Sequence, residues 1–346
     1  MINPTYNSVH NKFKLNGFHF SADDMLRVAY SFIKEGADFQ KPVGNFFLDW
    51  FDDKPYLEVK TSGTTGAPKL IRIDKQAMVN SALATGDFFE LNPGDKALHC
   101  LPTNYIAGKM MFIRAFILGL DMDFVAPSAN PLYNNDTFYD FAAMVPLQAK
   151  SSLAGLKRVK KMIVGGAKIN PDLEKQLMKV STKVYETYGM TETITHIAAK
   201  LVGEKSFTVL PEVTISYDDK NCLVIHAPRI SDEVIVTNDL VELVNENQFK
   251  FIGRYDNVIN SGGIKLIPEE IERKLFDKIE PRFFIAAKED KELGEKVILV
   301  IEGEKLELEN TLFDDFDKYE KPKEVIFIPK FKETATGKIL RKESLE

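Results

Sequence analysis

The sequence holds two cysteines, one tryptophan and five histidines, and each scarcity narrows the protein class. Cys100 and Cys222 stand far apart and form no C-x-x-C pair, so neither a disulfide framework nor a zinc ribbon is expected. His10, His19, His99, His196 and His226 show no ligand spacing, which leaves magnesium, brought in with a nucleotide, as the expected metal. Basic residues are not in excess: 45 Lys and Arg against 51 Asp and Glu give a net charge of -6. That balance argues against a nucleic-acid-binding protein, and anionic substrates would be met by local cations. Long apolar runs are missing too. The longest, Met110 to Leu120, carries Arg114 in its middle and is far short of the ~20 residues that span a bilayer. The opening MINPTYNSVHNKFKLNG lacks the apolar core of a signal peptide. A cytoplasmic enzyme with no membrane insertion is the expectation.

What is present fits a globular α/β protein. The 346 residues are 44% hydrophobic, enough for two domains at about 100–200 residues each. Ser21 reads as the N-cap of a helix whose apolar face is Met25, Leu26, Val28, Ala29, Phe32 and Ile33. A strand over 56–60, helices around 75–90 and 108–119, and a strand at 161–164 alternate as in a helix-flanked sheet. From 207 to 252 the pattern becomes short strands with turns between them. Gly253-Arg-Tyr-Asp256 marks a boundary, after which the pattern restarts. Pro268, Glu269 and Glu270 suit a helix start. Strands at 283–287, 296–302 and 323–328 and a helix near 307–319 complete a small α+β unit.

Several segments are suited to nucleotide chemistry. In Thr61-Ser-Gly-Thr-Thr-Gly-Ala-Pro-Lys69, Gly63 and Gly66 let backbone N–H groups approach an anion. Ser62, Thr64 and Thr65 add hydroxyls, and Lys69 adds a charge. The spacing is not that of a Walker A loop, and a polar hairpin turn is the plainer reading of such a run. Tyr188-Gly189-Met190-Thr191-Glu192 offers a carboxylate for Mg²⁺. On its own it could be a core tyrosine and a surface acid. Thr237-Asn-Asp239 is a turn with an acid, Ser261-Gly262-Gly263 with Lys265 a glycine-rich turn, and Thr336-Gly-Lys338 a basic tail.

Taken in order, these segments resemble the signatures of the adenylate-forming superfamily of acyl-CoA synthetases, luciferases and peptide-synthetase adenylation domains. The resemblance covers roughly 56–346. It implies an α/β fold in which a large N-terminal domain of helix-flanked sheets with a β-rich subdomain (1–252) is joined by a hinge (253–256, pivot Asp256) to a small mobile α+β C-terminal lid (257–346). It implies ATP, Mg²⁺ and coenzyme A. By the resemblance, Thr61 to Lys69 hold the phosphates, Tyr188 stacks on adenine, Thr191 meets the α-phosphate, and Glu192 holds magnesium. Asp239 and Arg254 would bind ribose, Ser261, Gly262, Gly263 and Lys265 would approach coenzyme A, and Lys338 would be the catalytic lysine. Asn238 replaces the usual glycine, Lys332 the usual upstream proline, and the region before the phosphate loop is much shorter than in relatives.

The acid substrate is less legible. Tyr105 stands where relatives often carry histidine, and Gly166 and Ala167 would line the acyl pocket. Arg114 has two readings, a structural cation that snorkels or pairs, or a ligand for a second carboxylate. With the short N-terminus it makes the chain resemble the 2-succinylbenzoate–CoA ligases of menaquinone biosynthesis, whose substrate is a diacid. Simple aryl or fatty acids, a carrier-protein thiol as acceptor, and a non-catalytic AMP-binding regulator stay open. His19-Phe-Ser-Ala-Asp23 matches the HxxxD of acyltransferases, but Ser21 to Asp24 is better read as a helix cap.

Overall fold

The computed structural model describes residues 4–60, 70–309, 311–333 and 339–346. The expected phosphate loop (Thr61, Ser62, Gly63, Thr64, Thr65, Gly66, Lys69) and Lys338 lie outside them. Contacts divide the chain into two compact units: 1–214 with 226–235, and 215–225 with 236–346.

The first unit begins with a small hairpin, β1 (Lys14–Leu15) and β2 (Phe18–His19), then α1 (Ala22–Lys34) and α2 (Lys41–Trp50). At the start of α1 the Ser21 hydroxyl and backbone N–H both donate to the Asp24 carboxylate, at 2.6 and 2.9 Å, which fixes the helix start as the sequence indicated. Next come β3 (Tyr56–Lys60) and β4 (Leu70–Asp74), paired antiparallel. The chain continues through α3 (Lys75–Phe89), β5 (Lys96–His99), α4 (Ile106–Leu118), β6 (Asp121–Phe124), β7 (Tyr139–Met144) and α5 (Pro146–Ser151). It closes with β8 (Val159–Val164), α6 (Pro171–Leu177), β9 (Lys183–Gly189), β10 (His196–Leu201) and β11 (Phe207–Val209).

The sheet of this unit runs β11-β10-β9-β8-β7-β5-β6-β1-β2. Strands β9, β8, β7, β5 and β6 are mutually parallel. The chain leaves β5 through α4 to reach β6 on one side, then returns past β5 to β7 and β8 on the other. The winding direction therefore reverses between β5 and β7. In open parallel sheets, ligands bind outside the carboxyl ends of the strands at such a reversal. Helix α4 is apolar all round and buried, with Met110, Phe112, Ile113 and Phe116 packed against Phe46, Phe47 and Phe13. This is why the 110–120 run reads as apolar yet spans no membrane. Among the described residues no helix is long and apolar enough to cross a bilayer.

The second unit contains the order β12 (Thr214–Tyr217), β13 (Cys222–His226), β14 (Ile235–Asn245), β15 (Gln248–Arg254), which are all but the first of the strands foreseen between 207 and 252; that first strand, β11, belongs to the first unit's sheet. A separate sheet joins β16 (Ile259–Ser261), β17 (Ile264–Leu266), β18 (Phe283–Asp290), β19 (Gly294–Glu302) and β20 (Glu324–Ile328), with α7 (Pro268–Leu275) packed on β18. The final helix, α8 (Arg341–Leu345), ends the chain. Pro268 occupies the first turn of α7, and Ile271 and Leu275 are buried beneath it. The helix expected near 307–319 is not formed. Residues 311–316 make successive turns, with the amides of Asp314 and Phe316 bonded three residues back. Leu312 and Phe316 still bury. The acids Glu307, Glu309, Asp314, Asp315 and Asp317 repel one another along this stretch, and the two buried side chains suffice to pin turns without a helix.

Candidate functional site

The loops at the carboxyl ends of the parallel strands are tied together by one side chain. Gln148, in the first turn of α5 after β7, donates from Nε2 to the carbonyls of Cys100 and Ser128, each at 3.0 Å. Those carbonyls belong to the connections after β5 and β6, so Gln148, following β7, ties its own loop across the reversal to the two loops on the other side. Tyr105 caps α4 on the same edge and is exposed. Gly165, Gly166 and Ala167 follow β8, with Thr187 of β9 donating to Val164 O at 3.2 Å.

Tyr188 and Gly189 end β9, and the residues to Thr195 turn the chain into antiparallel β10. The turn is held by Thr193: Met190 N donates to its hydroxyl at 2.9 Å, and that hydroxyl lies 2.7 Å from Thr195 O. Ile194 has φ +66°, a left-handed conformation that costs a β-branched residue of order 1–3 kcal/mol. It is held there because its side chain is buried in the main core and its N–H bonds to Thr191 O at 2.9 Å. Gly189 is required: a Cβ there would stand 2.3 Å from Thr195 O. Glu192 sits exposed on this strained turn and makes no ion pair among the described residues. The ring of Tyr188 lies 5.9 Å from that of Phe207.

Arg114 lies in the third turn of α4 and is 1% exposed. It does not snorkel, and no carboxylate is within ion-pair distance among the described residues. Its Nη2 faces Thr195 Oγ1 at 3.4 Å and His196 Nδ1 at 3.5 Å, its Nη1 faces Met111 Sδ at 3.6 Å, and its Nε has no acceptor among the described residues. Burial pushes its pKa down to about 9, and His196 is held well below the usual histidine range by burial and by the Arg114 charge. Sequence reasoning singled out Arg114, considered His196 only as a metal ligand and did not name Thr195. The available signal was a histidine four residues beyond Glu192 in the same turn. His99, at the end of β5, is packed edge-on to Phe112 and pushed down to about 3 by burial, so it serves as core and not as an acid or base. Cys100 is buried with its thiol at about 12.

In the second unit, Asp239 of β14 and Arg254 of β15 are register partners, 3.1 Å apart. Arg254 also reaches Asp256, in the turn after β15, at 3.3 Å. Ser261 ends β16, Gly262 and Gly263 form a two-residue hairpin turn with φ +60° and +83°, and Lys265 is exposed on β17. Those angles at both turn residues favour glycine. Arg341, three residues beyond Lys338, reaches Glu272 at 2.9 Å, Ile285 O at 3.1 Å and Glu269 at 3.5 Å.

A cleft of about 390 Å³ lies at the opposite edge of the first unit's sheet, lined by Phe138, Asp140, Lys160 and Lys183 among others. None of the expected site residues borders it. No group of three or more His, Cys, Asp or Glu side chains among the described residues is placed to hold a metal.

Residues 52–219 match the AMP-binding enzyme family. The 2-succinylbenzoate–CoA ligase of Salmonella typhimurium is 28% identical over 285 residues, 76% of this chain and 61% of that protein. The chain thus spans less than two thirds of that relative. A Dyadobacter fermentans protein, an acyl-CoA synthetase (AMP-forming)/AMP-acid ligase II-like protein of solved structure, is 33% identical with a TM-score of 0.63, covering 92% of this chain and 96% of that one. The O-succinylbenzoate coenzyme A synthetase of Bacillus subtilis, in complex with ATP and magnesium ion, shares the fold at a TM-score of 0.73 and 20% identity, over 84% of this chain and 69% of that one.

Proposed function

Because the chain belongs to the AMP-binding enzyme family, we propose that it is an ATP-dependent acid–CoA ligase working through an acyl-adenylate, with 2-succinylbenzoate as the acid. A carboxylate is a poor electrophile, since attack adds charge to an anion and must expel oxide. In the proposed first step a substrate carboxylate oxygen attacks the α-phosphorus of ATP, the bond to the β-phosphate oxygen breaks, and pyrophosphate leaves. In the second, a thiolate attacks the acyl carbon, AMP departs, and the thiol proton goes to solvent. Catalysis of this kind is positioning and charge stabilisation.

The residue roles follow the family resemblance. Thr61 to Lys69 would hold the phosphates, Tyr188 the adenine, Thr191 the α-phosphate, and Asp239 with Arg254 the ribose. Glu192 is an exposed carboxylate suited to magnesium, which supplies charge neutralisation to the phosphates when bound. Lys338 would place a point charge beside the reacting oxygens. Asp256 would be the hinge, and Ser261 to Lys265 would meet coenzyme A. The alternation of the C-terminal region between the two steps is part of the same proposal.

The observation that carries the substrate is Arg114. A fully buried guanidinium without a counter-charge among the described residues is costly, and a site that receives a dicarboxylate would supply an anion. In a dry pocket that attraction is much stronger than in water, and guanidinium matches carboxylate geometry. The test is pyrophosphate release with ATP and Mg²⁺ against 2-succinylbenzoate, benzoate, a hydroxycinnamate and a medium-chain fatty acid, with the coenzyme A thioester checked by mass. Turnover of 2-succinylbenzoate that collapses in Arg114→Ala, with adenylation lost in Lys338→Ala, is expected. Activity confined to monoacids would keep the ligase and discard the diacid.

A further inference from the structure

Arg114 is not held by chance contacts. His196 is buried beside it, with Nδ1 3.5 Å from Arg114 Nη2 and Nε2 3.4 Å from Thr85 Oγ1. The Thr85 hydroxyl proton is already committed, since it donates to Ser81 O one turn back in α3 at 2.8 Å. The Thr85 oxygen therefore faces His196 as an acceptor, which places the ring proton on Nε2. Nδ1 is left as a lone pair directed at the guanidinium. Thr195 Oγ1 completes the cluster, 3.4 Å from Arg114 Nη2 and 3.5 Å from His196 Nδ1. Among the described residues, every acceptor around Nη2 is thus neutral. The arginine is tethered, but its charge is not cancelled.

We propose that His196, fixed by Thr85, is a positioning residue that sets substrate preference: it orients Arg114 with a neutral acceptor and so preserves the cation for the second carboxylate of a dicarboxylic acid. The proposal rests on reading Arg114 as that carboxylate's ligand. Its content is that both geometry and neutrality matter at position 196. A carboxylate there would hold the arginine equally well and abolish its charge. An apolar side chain would leave the charge and lose the orientation.

Three substitutions separate these effects. His196→Asn keeps a neutral acceptor near the Nδ1 position, and should hold the KM for 2-succinylbenzoate within a few-fold of wild type. His196→Leu should raise that KM on the order of tenfold, the scale of one lost hydrogen bond to a charged group. His196→Glu should erase the preference for the diacid over monoacids, on the order of a hundredfold, because Arg114 becomes internally paired. The monoacid probes are 4-oxo-4-phenylbutanoate and 2-butanoylbenzoate, each retaining one of the two carboxylates: the one that keeps the reacting carboxylate lacks Arg114's partner, and its KM and kcat should move little in any variant, whereas the other cannot be adenylated and its inhibition constant should follow the diacid KM.

Thr85→Val, which frees the ring without touching Arg114, should shift the diacid KM in the same direction by a smaller factor, and it serves if His196→Leu fails to fold. Parallel losses on the diacid and the reacting monoacid across the series would show a merely structural histidine and overturn the proposal. If Arg114→Ala leaves the diacid KM unchanged, or 2-succinylbenzoate is not used at all, the underlying reading of Arg114 falls first, and the role of His196 falls with it.

Discussion

Arg254 lies across the β14–β15 ladder from Asp239, its Nη1 3.1 Å from the Asp239 carboxylate, while its Nη2 reaches Asp256 at 3.3 Å. Fifteen residues of sequence separate the first pair, and only strand register brings them together. If both groups grip the ribose, Asp239→Asn and Arg254→Ala should each raise the KM for ATP about tenfold, the loss of one charge-assisted hydrogen bond. Because they are partners, the double variant should cost less than the sum. Initial rates at varied ATP and saturating acid measure this. A shift in the KM for the acid instead would place the pair elsewhere in the reaction.

Gly189 gives a sharper geometric test. A Cβ at this position would meet Thr195 O at 2.3 Å and His196 Cα at 2.6 Å. Both are backbone atoms in the β9–β10 turn, so neither can rotate away. Gly189→Ala should therefore displace Met190, Thr191 and Glu192 and cost about 1–3 kcal/mol of stability. Adenylation should fall more steeply than the thermal midpoint would suggest. Pyrophosphate release measured well below the variant's midpoint checks this, and near wild-type rates there would disconnect the turn from the chemistry.

These two cases show which parts of the molecule could be read in advance. Ser21, the buried Met25–Ala29 face of α1 (though not Leu26, which is exposed), the span of α4 and the first-turn Pro268 were legible because each depends on residues a few positions apart. The ordered signature segments were legible as strings. The meeting of His196 with Arg114 was not, because it depends on how β10 packs on α3 and α4 and leaves no trace in local spacing. The failed helix at 307–319 is the converse error. Leu306, Leu312 and Phe316 bear an apolar pattern, but the dense acids between them oppose a helix, and packing on β18 and β19 is satisfied by turns.

Arg341 follows Lys338 by three residues, and its contacts give it a definite task. It binds Glu272 of α7 at 2.9 Å and Ile285 O of β18 at 3.1 Å, while Leu340 N donates to Lys332 O at 2.9 Å. These bonds fix the chain just after Lys338. Arg341→Ala should lower kcat for adenylation at least about tenfold, the order of one lost charge-assisted bond, with the KM for ATP little changed. Arg341→Lys should recover only part, because a point charge cannot serve acceptors arrayed for a planar fork. Wild-type kcat in Arg341→Ala would sink the idea that this anchor positions Lys338.

The last prediction concerns stability and pH. Lys75, at the start of α3, is 0% exposed, and its Nζ donates to Asp52 Oδ1 at 2.6 Å. Asp52 titrates below the ordinary carboxyl value of 3.8: burial works against this, but the Lys75 hydrogen bond, the Lys54 amide and the Lys75 charge outweigh it. A carboxyl whose folded pKa is depressed stabilises the fold above its unfolded pKa, and that contribution is lost as pH falls through the folded value. Asp52→Asn leaves a buried ammonium without its anion and should cost roughly 3 kcal/mol at pH 7. Lys75→Met should cost less, because Asp52 reaches solvent and Lys75 does not. Urea unfolding at pH 7, 5, 4 and 3 should show the gap between wild type and Asp52→Asn steady down to about pH 4 and closing below it. A gap that stays constant to pH 3, or a larger loss in Lys75→Met than in Asp52→Asn, would mean that the pair contributes packing and not charge.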